Sequence, residues 1–208
     1  MLRLALFVPI LLAQPTALSA GEQEPVAPDL SVQPSEPAWT PPVLHALTMF
    51  TVIRGAEAVL WPDPFAETSP DVWGQHYRDA FTKRPLFDTS QPAFSWDGDR
   101  WEINVIGHGL MGSELYLRAR QCRFGWAGSF AFTAGASAVW EYGFEGNGVQ
   151  PSGQDLMLTP LSGLIFGEAR YQLWRSADGI AQRPLRILIR TVVDPFGEFE
   201  RGVGIFDC

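Results

Sequence analysis

From residue 43 onward, apolar positions recur at helical rather than alternating spacing. "TPPVLHALTMFTVIRGAEAVLWPDP" (40–64) is apolar nearly all round. Thr40 is placed to cap it, prolines fill its first helical positions, and Pro62 ends it. Arg54 and Glu57 within it are spaced to pair. "SPDVWGQHYRDAFTK" reads as a shorter amphipathic helix closed by Pro85, and "RPLFDTSQPAFSWDGD" as a loop of turn residues and aromatics. Three further helices follow in "RWEINVIGHGLMGSELYLRAR", "GWAGSFAFTAGASAVWEYGFEG" and "PSGQDLMLTPLSGLIFGEARYQLWR". "QRPLRILIRTVVDPFG" reads as a sixth. The pattern predicts an all-α bundle of five to six helices over 43–208, a length sufficient for one domain with its own core. "SFAFT" and "RILIRTV" alternate briefly, but a membrane barrel needs many ten-residue alternating segments with turns between them.

Polar and small residues break the apolar pattern at intervals of four on three successive helices. The third helix carries Asn104, His108, Gly112 and Tyr116. The fourth carries Ser129, Thr133, Ser137 and Glu141, continuing to Glu145, and the fifth carries Asp155, Thr159, Gly163 and Gly167. Residues four apart share a helix face, so each helix presents one polar or small stripe. Gly112, Gly163 and Gly167 are candidates for close helix packing, as is the row Ala127, Ala131 and Gly135. The hydroxyls of Ser129, Thr133 and Ser137 are equally suited to bonding back to their own backbone.

Ionisable residues on those stripes are the candidate chemistry. His108 lies between glycines in "IGHGLMG"; a lone histidine in such a setting is often a satisfied core residue, but carboxylates are expected on both neighbouring helices. Ser152 and Asp155 fit a capping box, which alone would account for both. Glu141 comes late in its helix, where the helix dipole disfavours an anion, so a partner is expected: His108, an arginine or a metal ion. The short break "GNGVQP" folds the fifth helix back against the fourth. His108, Glu141 and Asp155 are therefore expected to converge, with the two acids within roughly 10 Å of each other at the helical rise. Arg118, Arg120 and Arg123, and again Arg183, Arg186 and Arg190, form basic groups that read as solvated surface or as contacts to anionic lipid headgroups.

The first twenty residues have the order of a secretory leader: Arg3, an apolar run, then small residues before Gly21. Residues 21–42 hold six prolines, four acids and no basic residue, the composition of an extended disordered tether. Without Arg3 the 15 basic residues become 14 against 23 acidic ones, a balance that speaks against a nucleic-acid partner. The two cysteines, Cys122 and Cys208, permit a disulfide in an oxidising compartment, or two free thiols. No Cys/His spacing suggests structural zinc, and no nucleotide-binding or nucleophile-elbow motif occurs.

The stretches "NVIGHGLMGSELYLRAR", "WEYGFEG" and "PSGQDLMLTPLSGLIFGE", between Trp101 and Trp174, resemble the bacterial family known as domain of unknown function 3943. That resemblance implies an exported, envelope-associated protein and brings no established activity. The order of His108, Glu141 with Glu145, Ser152 with Asp155, and Gly163 with Gly167 is also similar to VanZ-like membrane proteins. Pro151 and Thr159 depart from the basic residue and asparagine usual there.

Three functions follow as expectations. One is a helical envelope-assembly protein in which Asn104, His108, Ser137, Glu141, Glu145, Ser152 and Asp155 form a buried network. A second is a membrane-proximal hydrolase or transferase acting on a lipid or glycan. There His108 is the base, Glu141 its orienter, and Asp155 or Glu145 the group that holds substrate. The third is a metal-binding module. The sequence points to no particular cofactor, and the partners it implies are membrane lipid or other envelope proteins, in the periplasm or at the outer membrane.

Overall fold

The computed structural model describes residues 36–61, 66, 67, 69–205 and 208; the expected leader and most of the expected tether lie outside them. Among the described residues there are seven helical rods and no strand; the only β pairing is an isolated bridge between Leu86 and Ser152. The rods are α1 (Thr40–Leu60), α2 (Pro70–Thr82), α3 (101–121), α4 (126–144), α5 (155–176), α6 (Arg183–Val193) and α7 (Pro195–Val203). The briefly alternating stretches lie inside α4 and α6.

Local chemistry sets most boundaries. Pro70 occupies the first turn of α2, where a missing N–H costs nothing. Trp61, which precedes Pro62, leaves the helical region and closes α1. Thr40 is already helical and follows Trp39, whose side chain makes no cap, so the expected threonine cap is not formed. The expected sixth helix is two: Asp194 breaks it, and its carboxylate accepts a hydrogen bond from Gly197 N that starts α7 at Pro195.

Rod α3 is central and packs against α1, α4 and α5. Helices α3, α4 and α5 run alternately up and down, with α1 antiparallel to α3: Ala38 N bonds Cys122 O beside the start of α1. Two small apolar clusters join them, Phe50 with Leu115 and Trp140, and Phe124 with Ala119 and Cys122. A Cys122–Cys208 disulfide ties the C-terminus to the end of α3.

Glycines bring α3 and α5 into backbone contact. A side-chain carbon on Gly112 would overlap the Thr159 carbonyl oxygen, and one on Gly167 would meet Tyr116 at 2.8 Å and Ser113 O at 2.9 Å. One on Gly163 would meet Gly112 O at 2.8 Å. The row Ala127, Ala131 and Gly135 does not pack a helix; it is exposed, and space opens around Gly135.

Each of α3, α4 and α5 contains a π turn: Ile103–His108, Trp140–Phe144 and Gly163–Gly167. A residue repeat of four drifts about 40° per step around a regular α-helix of 3.6 residues per turn. The wider π turn takes part of that drift back. The three four-residue stripes face inward: Asn104, Ser129, Thr133, Ser137 and Thr159 are fully buried, and Glu141 and Asp155 nearly so.

Candidate functional site

The site lies where the first turn of α5 meets the end of α4 and the first half of α3. His108 Nδ1 is 3.1 Å from Thr159 Oγ1 and 3.9 Å from Glu141 Oε1, and His108 Nε2 is 3.6 Å from Asp155 Oδ2. The three ionisable side chains are 7%, 1% and 3% exposed. The structure thus brings His108, Glu141 and Asp155 together.

The capping box forms in part. Asp155 N donates to Ser152 Oγ at 3.0 Å, the expected cap, but Asp155 does not reach back to Ser152 N. That donor goes instead to Glu141 Oε2 at 2.7 Å. Glu141 therefore closes the N-terminus of α5 from the preceding helix, which places its charge at a positive helix end. Ser137 Oγ donates to the carbonyl of Asp155 at 3.3 Å, joining α4 to the same turn. Glu145 is buried one turn beyond Glu141, within electrostatic reach of Glu141, Glu57 and Arg54.

Asp97, which the sequence did not single out, completes the site. It sits in the loop between α2 and α3 and accepts from Ser152 Oγ (2.7 Å), Asn104 Nδ2 (2.8 Å) and Asp99 N (3.0 Å). Its carboxyl group is also within hydrogen-bonding reach of that of Asp155. Burial would raise the Asp97 pKa, but the hydrogen bonds from Ser152, Asp99 N and Asn104 outweigh burial and hold it below the usual carboxylate value. Asp99 has the opposite balance: burial, then the charge of Asp97, push it up to about 6. The loop is held in place by backbone bonds from Leu86 N to Pro151 O and from Gly153 N to Leu86 O, both 2.8 Å. Phe94, held at φ 65°, turns its carbonyl toward both Asn104 Nδ2 and Gln154 Nε2. Only the acid-and-turn composition of "SWDGD" could have flagged this segment.

A second buried network was also missed. Arg118 is 1% exposed, not surface; its Nη2 lies 2.9 Å from Glu200 Oε2 and 3.6 Å from Glu114 Oε1. His45 Nδ1 meets Glu200 Oε1 at 2.6 Å, and Arg170 Nη2 meets Glu114 Oε2 at 2.6 Å. Asp194 receives Arg201 at 2.6 Å and Gln121 at 2.7 Å. This set ties α1, α3, α5 and α7 together at the opposite end of the bundle. Arg120 pairs with Glu168 at 2.8 Å, and Arg190 with Asp178.

These features define a class: an all-helical protein with ionisable groups enclosed between its helices. The chain belongs to the family described as Domain of unknown function (DUF3943), whose model matches residues 93–196. The match takes in Asp97, Asn104, His108, Glu141, Ser152 and Asp155. No curated protein and no solved structure matches the chain.

Proposed function

We propose that this is an exported envelope protein whose long helices are held in the hydrocarbon layer of a membrane, as a non-enzymatic helical scaffold. The carrying observation is an inverted distribution of polarity. Ionisable and hydroxyl side chains fill the interior, while large apolar ones face outward: Leu47 is 43% exposed, Val52 65%, Leu110 65% and Ile165 62%. Water does not favour that arrangement and acyl chains do.

Dimensions support the reading. At 1.5 Å per residue, α1, α3, α4 and α5 are roughly 28–33 Å long, close to the ~30 Å hydrocarbon thickness. Thr40–Leu60 has the length and apolarity of a span, with 17% of its most apolar window buried inside the fold. Exposed tryptophans mark both ends of the rods, Trp39 and Trp126 at one and Trp61 and Trp101 at the other, as in the aromatic belts of membrane proteins. Within such a layer, the buried networks fix helix register, because an unpaired polar group has no water to turn to.

Fractionation tests this. The protein is expected to stay with membranes through alkaline carbonate extraction, and lipids brominated on their acyl chains are expected to quench its tryptophan fluorescence. Recovery as a water-soluble monomer without detergent would overturn the reading.

A further inference from the structure

The separations between His108 and the two carboxylates are too long for direct hydrogen bonds and suited to a shared cation. Neither His108 nitrogen reaches a carboxylate within 3.5 Å; the distances are 3.6 Å from Nε2 to Asp155 Oδ2 and 3.9 Å from Nδ1 to Glu141 Oε1. Glu141 Oε1 and Asp155 Oδ1 are buried and have no hydrogen-bond partner. Leaving a carboxylate oxygen so placed is costly. The three side chains offer one donor atom each within 4.8 Å of one another. A tetrahedral ion bound at the usual 2.0–2.2 Å would set such donors roughly 3.4 Å apart, within a small side-chain rotation of this arrangement.

We infer that His108, Glu141 and Asp155 bind one divalent transition-metal ion. Three helices supply one ligand each. A dication offsets the charge of the two carboxylates in a site closed from water, with Asp97 satisfied by its own hydrogen bonds beside them. The imidazole selects transition metals over magnesium or calcium, whose preferred ligands are oxygens. The surrounding contacts are those that orient ligands. Thr159 Oγ1 is placed to accept from His108 Nδ1–H, which leaves Nε2 free to coordinate. Ser152 N holds the second oxygen of Glu141. Ser152 Oγ links the same turn to Asp97. A proton shared between Asp97 and Asp155 is the rival relief for Asp155, but it leaves Glu141 Oε1 without a partner. The inference goes beyond the lipid-embedded reading and stands without it, since the ligands would converge equally in an aqueous protein.

The test uses the full mature protein in detergent, stripped with a chelator and titrated with Zn2+ and separately with Co2+. Wild type and the half-exposed acid control Glu102→Gln, which lies outside the site, are expected to retain about one equivalent through gel filtration. Both should gain thermal stability with Zn2+, and Co2+ should give the visible absorption of a four- or five-coordinate ion. Glu141→Gln and Asp155→Asn, which keep side-chain shape, should each weaken retention at least tenfold and abolish the stabilisation. The site is overturned if helical Glu141→Gln and Asp155→Asn proteins retain as much metal as wild type. Should those variants not fold, the wild-type titration decides alone. Absence of zinc-dependent stabilisation at about 100 μM Zn2+ overturns the site.

Discussion

Glu141 occupies the end of α4, where the dipole of its own helix opposes a negative charge, and it is tolerated there because the chain immediately supplies the opposite pole. Ser152 N, an orphan donor at the start of α5, lies 2.7 Å from Glu141 Oε2, so one carboxylate is repelled by one helix end and held by another. Asp99 illustrates the converse, a carboxylate left beside a like charge. Burial and Asp97 raise its pKa to about 6 in the folded protein, against about 3.9 for the unfolded chain. A raised carboxyl pKa contributes stability that is complete below about pH 4 and is lost as pH rises through 6. Asp99→Asn removes that dependence while the backbone Asp99 N–H to Asp97 bond remains. Melting curves should therefore place the variant above wild type at about pH 7.5, with the gap closing near pH 4. A gap independent of pH would show that Asp99 does not titrate in this window. His108, Glu141 and Asp155 were legible because each stands on a four-residue polar stripe of an otherwise apolar helix. Asp97 was not, since a loop acid among turn residues carries no periodic signal. The partners of Arg118 were hidden for a different reason: Glu114 stands one turn away in sequence, but Asp194 and Glu200 reach it only through tertiary packing.

At the scale of the helix, the four-residue repeat held more information than its polar character. A stripe of period four drifts about 40° per step around a regular α-helix, and each of the three helices carries a π turn that takes part of that drift back. The glycine steps were legible for α3 and α5, but the Ala127 row was not distinguishable by sequence from a packing row, because small residues are equally compatible with an open outer face. The sixth helix failed as one unit because proline is welcome at a helix start as well as fatal to its interior. Close approach makes a sharp pair of variants. Gly112→Ala puts a carbon into the Thr159 carbonyl, whose residue also holds His108. It should cost on the order of 1–3 kcal/mol or more. Gly107, five residues earlier on the exposed side, has nothing within 4 Å of an added carbon. Gly107→Ala should be neutral or stabilising by up to about 1 kcal/mol, through loss of unfolded-state freedom. Thermal unfolding in detergent checks both. Equal effects would mean that α3 and α5 do not approach through Gly112.

The whole molecule is closed by chemistry that depends on where it is made. Rods α1, α3, α4 and α5 pass along the bundle four times, an even number, so the chain returns to the end from which α1 began. At that end Ala38 bonds Cys122, and Cys122 is joined to Cys208. The disulfide spans 86 residues, including α4, α5 and the C-terminal helices that carry Asp194 and Glu200. A cross-link over a loop of that length is worth on the order of 2–4 kcal/mol, and it persists only in an oxidising compartment. We propose that the leader-like first twenty residues are the route to one. The two features make one prediction. Protein made with its leader should begin at or near Gly21, fractionate with the envelope, and show no free thiol when denatured without reductant. Protein made without residues 2–20 should stay in the reducing cytosol and label at both cysteines. Its C-terminal helices should then be cleaved faster by protease, because α6 and α7 have lost their covalent tether and keep the Glu200–Arg118 ion pair to α3 and the Arg170 bond to the Val193 carbonyl. Labelling of both Cys122 and Cys208 in unreduced envelope protein would remove the disulfide. Recovery of intact Met1 protein from the cytosol would remove the export route.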